Sequence, residues 1–438
     1  MTEQSILAAV SGIQANQTWL DSIANNIANV NTVGYKSSQV QFQDLLAQQL
    51  GAGVAPATGS GGVNPLAIGS GVRVAATQLN MSQGGTESTG VPTDVAIQGN
   101  GYLVVQSGGQ QLYTRNGALS TDANGNLTSS TGGLVMGWPA NPNGTVNTAS
   151  VLGPLAIPTG ATIGAQPSSE ITVGGNLPVW NGTGTPPSPV VTQYNVYDSL
   201  GNAVPVTLTF TPGTAANTWT VSATAPGATG TVLAPATITF STGPTGSPPT
   251  GPAAGQISSV SGVTAQTNGE YKLALNLAGA GNFGSSSNVD LIIPPPSSSN
   301  SVTQFSAAQS LQIQSGDGHA AGVLKSYNIA QDGTITGTFS NNQTQVLGQI
   351  ALAGFANPAG LAEQGNGNFA VSGNSGQALV GAAGTGSLGT LLGGELEQSN
   401  VSLGTELTNL ITAQEAYTAN TKVLTTSSTA LQALEQVP

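Results

Sequence analysis

The chain has 438 residues, of which 38% are hydrophobic and only 5% charged, against roughly 25% charged in ordinary soluble domains. Eighteen acidic and six basic residues give a net charge of -12. The basic residues Lys36, Arg73, Arg115, Lys272, Lys325 and Lys422 stand singly. Nucleic acid binding needs them clustered, so it is excluded. There is no Cys and one His, His319. Disulfides, thiolate zinc sites, thiol catalysis and multi-His metal sites are therefore excluded as well. A surface this poor in charge repels its own copies weakly and suits self-association.

In chain order, the first element is a helix expected over Ser5–Asn31. Ile6, Ile13, Leu20 and Ile27 recur every seventh residue, and Val10 and Ala24 fill part of a second position. This is the pattern of helices that pack in a coiled coil. The Asn-rich run 25–31 weakens helix propensity, and Gly34 is a stop signal. A short apolar segment, 42–50, leads into a Gly/Ala/Pro/Ser linker reaching about residue 70. No apolar run approaches the ~18 residues of a membrane span, and the N-terminus lacks the pattern of a cleavable signal peptide. Direct membrane insertion is not expected.

From Val72 the apolar period falls to two. Strands are expected at 72–76, 94–97, 102–105 and 112–114, with Asn124-Gly125 as a type I′ hairpin turn. Strand patterns continue through Ile171, 191–196, 204–210 and 219–221. Pro/Gly/Ser stretches interrupt them at 181–190, 241–256 and 294–301. Residues 302–313 fit a strand or a short helix. Strands resume at 324–329 and 335–339 about Asp332-Gly333, then at 350–355 and 369–371. Residues 384–394 read as a flexible connector.

The final element repeats the opening pattern. Leu396, Leu403, Leu410, Tyr417, Leu424 and Leu431 fall every seventh residue, with Leu407 in the second position. The predicted fold is α+β, mostly β, with discontinuous β-rich domains between terminal coiled-coil-like helices. The expected division is 1–35 with 391–438 (terminal helical), 36–71 (linker), 72–165 with 302–390 (inner β domain) and 166–301 (outer β insertion). The two helices could pair only with each other, or leave apolar surface for neighbouring subunits.

No motif carries chemistry. Gly99-Asn100-Gly101 lacks the third Gly and the helix of a dinucleotide loop, and reads as a tight turn. Asp122-Ala123-Asn124-Gly125-Asn126 lacks the twelfth-position Glu of a calcium loop. His319 reads as a surface loop residue. No enzyme activity, cofactor or metal is expected.

Two long terminal motifs carry a resemblance. Ser11-Gly12-Ile13-Gln14-Ala15 with Asn25-Asn26-Ile27-Ala28-Asn29-Val30-Asn31-Thr32-Val33-Gly34-Tyr35-Lys36 is similar to the N-terminal motif of the rod and hook proteins of the bacterial flagellum. Leu396-Glu397-Gln398-Ser399-Asn400-Val401 with 410–420 resembles their C-terminal motif. Asp94–Tyr102 and Tyr113–Gly117 are common to both kinds. Val196-Tyr197-Asp198-Ser199-Leu200-Gly201-Asn202, 345–353 and 355–361 resemble hook members, as does the length. The resemblance fades over 211–300. It implies a structural subunit that self-assembles into the short curved hook tube, which couples rod to filament and transmits torque. It also implies contacts with rod, hook-cap, junction and type III export proteins, and export without a cleaved signal to the extracellular hook. The expected subunit interface is Ile6, Val10, Ile13, Leu20, Ile27, Leu396, Leu403, Leu407, Leu410, Tyr417, Leu424 and Leu431. The alternatives are a distal rod protein or a β-rich surface adhesin.

Overall fold

Helical periodicity at the two ends becomes two long helices, α1 (Thr2–Ala28) and α2 (Leu403–Glu435), the only α-helices among the described residues. The computed structural model describes residues 2–435 other than 57, 159, 245–250 and 284–287; part of the 241–256 stretch thus lies outside the described residues. α1 stops short of Asn31. The Asn29 side-chain amide donates to the backbone oxygen of Asn25 at 3.0 Å, the local competition that lowers Asn propensity in helices. Gly34 then takes a positive φ of 70°.

The chain forms two compact units. One comprises residues 1–159, 326–338 and 344–438, the other 160–325 and 339–343. The return from the inserted unit therefore falls at 325/326, and not at 301/302 as composition suggested. Val302–Gln304 and Gln312–Gly316 both pair with Glu170–Leu177, so this segment belongs to the inserted sheet. The Pro/Gly/Ser stretch at 294–301 marks a turn within the unit.

In the first unit, four strands form where the sequence suggested linker or connector. Ser38–Asp44 pairs with Val72–Leu79, and Gln48–Gly51 with Leu66–Ile68. Thr390–Gly393 pairs with Val95–Gln98 and buries Leu391 completely. Glu395–Glu397 pairs with Thr86–Ser88, so Leu396 lies in a strand and is no part of the C-terminal helix. The heptad spacing runs across a change of element, because six residues separate Leu396 from the first turn of α2. The main sheet runs Thr334–Phe339, Thr344–Gly354, Leu134–Pro139, Tyr102–Ser107, Gln110–Thr114, Asn368–Ala370 and Ala362–Gly365. Its core includes edge-to-face aromatic pairs: Tyr102 with Phe355 and Phe369, and Tyr113 with Phe355 at 4.8 Å between centroids.

The second unit holds two five-stranded sheets. One is an antiparallel meander of Val190–Tyr197, Ala203–Pro212, Thr218–Thr224, Leu233–Phe240 and Ile257–Val260. The other is centred on Glu170–Leu177, with parallel partners Asn288–Ile293 and Val302–Gln304. Alternation sends Val204, Val206, Leu208 and Phe210 inward, where they meet Trp219, Leu275, Leu291 and Val173 in one core.

One turn device recurs. At Asp122 and Asp198 the glycine three residues on donates its N–H back to the aspartate carbonyl, at 2.9 and 3.0 Å. Positive φ is confined to Gly125 (80°) and Gly201 (83°). The Asn124-Gly125 hairpin is therefore a type I turn followed by a left-handed glycine, not the type I′ turn its dipeptide suggested. The Asp122 carboxylate explains the difference. It accepts the N–H groups of Asn124 and Asn126, both at 2.8 Å, and holds Asn124 on the negative-φ side. His319 is half-buried and joined to Gln166 in a backbone bridge, with Nδ1 beside Asn341 Nδ2 at 3.3 Å, rather than free on a surface loop.

Candidate functional site

α1 and α2 lie antiparallel. Ser5 Oγ meets Ser427 Oγ at 3.2 Å, and at the other end Asn26 Nδ2 reaches Glu406 Oε1 at 3.4 Å. Midway, a side-chain carbon added to Gly12 would lie 2.8 Å from Asn420 Nδ2, so the close approach depends on that glycine. The most buried face of α1 is Ala9, Gly12, Ala15, Ile23 and Asn26; that of α2 is Glu406 and Ala413.

The seam is thus built largely from small and polar residues, and the bulky heptad residues flank it. Ile6, Val10, Ile13, Leu20 and Ile27 on α1 are half-buried, as are Leu410, Tyr417, Leu424 and Leu431 on α2. Leu403 and Leu407 are exposed. So are Leu7, Ile411 and Val423, at 64%, 57% and 46%, which the heptad reading did not include. Leu396 is absent from this face for the reason given above. Trp19 of α1 packs edge-to-face on Phe42 of the Ser38–Asp44 strand, 5.8 Å between centroids, and so fixes the helix to the β body.

Where the helices enter that body, three charged side chains from distant parts of the chain meet in its interior. Lys36 Nζ donates to Glu397 Oε1 at 2.7 Å, and Arg115 Nη1 donates to Glu397 Oε2 at 3.1 Å. The Lys36, Arg115 and Glu397 side chains are 1%, 6% and 0% exposed. Glu397 Oε1 also accepts the Gly84 N–H at 3.0 Å, and Lys36 donates to the Ser82 carbonyl at 2.7 Å. Burial, opposed by the Glu397 carboxylate, holds the Lys36 ammonium below its ordinary pKa. Arg115 Nη2 donates to the Gly99 carbonyl at 2.6 Å, and its guanidinium lies over the Tyr102 ring. Burial raises the pKa of the Tyr102 hydroxyl.

Two asparagines complete the junction. Asn26 Oδ1 accepts the Ser38 N–H at 2.9 Å and the Tyr35 hydroxyl at 3.1 Å, while its Nδ2 donates to the Ser38 carbonyl at 2.9 Å. Asn400 Oδ1 accepts the Ser37 N–H, and Nδ2 donates to the Asn80 carbonyl at 2.7 Å. Gly34 donates its N–H to the Glu397 carbonyl. A side-chain carbon on Gly34 would lie 2.8 Å from the Arg115 backbone, so only glycine fits there. Position along the chain hides this cluster, because the six basic residues stand singly in the sequence. In a chain this poor in charge, the signal was available: Lys36, Arg115 and Glu397 each sit inside a motif already singled out.

Among the described residues, no helix is long and apolar enough to cross a membrane, and no group of acidic or His side chains could hold a metal.

Four family models match this chain, at both ends and over two stretches between them. "Flagella basal body rod protein" covers residues 6–36, "Flagellar hook protein FlgE/F/G D1 domain" 96–176, "Flagellar basal body protein FlaE D2 domain" 187–319, and "Flagellar basal body rod FlgEFG protein C-terminal" 392–437. The flagellar hook protein FlgE of Treponema pallidum (strain Nichols) is 35% identical, over 98% of each chain. That of Borreliella burgdorferi is 33% identical over 98% of each, and that of Salmonella typhimurium 35% over 98% of this chain and 99% of its own. The chain belongs to the flagellar hook protein family. The adhesin and distal-rod alternatives are not favoured by matches of this extent. In this hook-family chain the ion cluster takes one residue from each of three matched regions: Lys36 at the end of the first, Arg115 in the D1 region and Glu397 in the C-terminal region.

Proposed function

We propose that the chain is the structural subunit of the flagellar hook. Many copies polymerise into a short curved tube that joins rod to filament and transmits torque. The observation that carries this reading is the half-covered helix pair. α1 and α2 close on each other through small residues and leave Leu7, Leu403, Leu407, Ile411 and Val423 in solvent. An apolar face on a helix is stabilised by burial of roughly 25 cal/mol per Å², which a single chain does not obtain here. Neighbouring copies supply that cover, and the helices form the inner tube. Ile6, Val10, Ile13, Leu20, Ile27, Leu410, Tyr417, Leu424 and Leu431 complete the interface from the flanks of the seam.

The subunit acts mechanically and catalyses no reaction. It leaves the cell through the type III export channel without losing a signal segment. It assembles under a hook cap, on the rod, and meets junction proteins at its far end. Shearing and purifying hook–basal bodies from the source cells tests the reading. The protein should be the major component of the hook segment, and an image reconstruction should place α1 and α2 around the central channel. Recovery in a different appendage, or on the cell surface without basal bodies, would overturn it.

A further inference from the structure

The ion cluster carries an unbalanced charge. Lys36 and Arg115 share one carboxylate, and that carboxylate is occupied on both oxygens. Arg115 spends Nη1 on Glu397 and Nη2 on Gly99, but its buried Nε–H has no partner. The side chain is 6% exposed. It lines a cavity of about 290 Å³ together with Met81, Tyr102, Phe355 and Pro358, rimmed by the exposed Asn100 and Ser387. A buried donor without an acceptor and a buried cation without a counter-charge are each costly. Both costs fall on the same guanidinium, whose side chain lines that cavity.

We infer that this cavity is a carboxylate-binding site, filled by an acidic side chain of a second copy of the chain. The chemistry fits a carboxylate. One oxygen accepts the Nε–H in a charge-assisted hydrogen bond, and its negative charge balances the cluster. The walls of Tyr102, Phe355 and Met81 accommodate the methylene part of an Asp or Glu. A second copy is the fitting source because the chain has eighteen acidic residues to six basic ones. Acidic surface is plentiful on each neighbour, and a partner for it is scarce. The choice of occupant rests on the self-assembly reading above, whereas the carboxylate site itself does not.

Arginine-selective ¹⁵N labelling tests this directly, because the chain has two arginines, Arg73 and Arg115. Two Nε–Hε signals are expected, assigned with Arg73→Lys. They are followed in the soluble subunit, in the subunit with added sodium formate, and in assembled tubes by solid-state measurement. On assembly the Arg115 signal should move downfield, and its hydrogen exchange should slow about tenfold or more, the factor one charge-assisted hydrogen bond supplies. Formate should produce the same shift in the soluble subunit and leave Arg73 unmoved. A formate response with no change in tubes would overturn the second copy as occupant. Absence of both responses would overturn the site. Failure to form tubes while formate still shifts Arg115 would count against the self-assembly reading and leave the site standing.

Discussion

Lys36 and Arg115, two of only six basic side chains, meet at Glu397 inside the β body. The energetics of that cluster are asymmetric. Removing Glu397 leaves two cations facing each other out of water, whereas removing Lys36 leaves a balanced Arg115–Glu397 pair. Glu397→Gln should therefore destabilise the first unit by about 3–5 kcal/mol, the range for stranding a buried charge. Lys36→Met should cost less than half as much. Urea unfolding followed by Tyr fluorescence gives both values, and an equal loss would refute the charge-balance account. Asp198 behaves differently. Burial pushes its carboxyl up, but the N–H groups of Leu200, Asn202 and Asn282 and the Asn202 amide outweigh it and hold it at about 2. A carboxylate with a lowered folded pKa contributes stability that is present above its unfolded value of about 3.9 and is lost as pH falls through the folded one. The second unit should thus lose stability between about pH 4 and pH 2. Asp198→Asn should flatten that window in pH-dependent thermal unfolding. An unchanged profile would show that the turn carboxylate is not the titrating group.

The two helices pair through part of their surface and leave other apolar residues uncovered. Small residues at Ala9, Gly12 and Ala15 let α1 and α2 approach closely, and Leu7, Leu403, Leu407, Ile411 and Val423 stay exposed. Substituting Leu407→Asp or Ile411→Asp adds a charge to positions that are 45% and 57% exposed in the single chain. Helix content by circular dichroism should stay within error. Polymerisation should fail, since a carboxylate desolvated in an apolar contact costs several kcal/mol per subunit. Tubes of normal length from either variant would remove that face from the interface. The heptad positions were legible in the sequence; the closest seam was not. A search for large apolar residues at every seventh position passes over a seam in which Ala9, Gly12, Ala15 and Ala413 sit beside polar Asn26 and Glu406.

Across the whole molecule, the inserted unit begins and ends on paired strands. Thr162 lies opposite Val323, and Ile163 opposite Gly322. The chain thus leaves and returns at one point, and a tight turn can bridge it. Deleting residues 164–321 and closing the gap with Asn-Gly should leave the first unit folded, because closure of so short a loop costs little. The shortened subunit should still be exported and form tubes, straighter than the parent ones by electron microscopy. A soluble, exported variant that forms no tubes would make the inserted unit part of the essential contact.

By itself, the sequence determined the elements and the family. Periods of seven at both ends and two between them gave helices around a β body. The motifs at 25–36 and 396–401 pointed to flagellar axial proteins before any coordinates. Local pattern suffices there, because helix and strand period depend on neighbours a few residues apart. Tertiary structure alone decided what joins those elements. The linker at 36–71 and the connector at 384–394 became strands because distant partners, 72–79 and 95–98, supplied their hydrogen bonds. Leu396 left the helix for a strand, and Glu397 beside it became the counter-ion of Lys36 and Arg115, 361 and 282 residues away. Such pairings follow from which surfaces come together on folding, a property of the whole chain that no window of sequence contains.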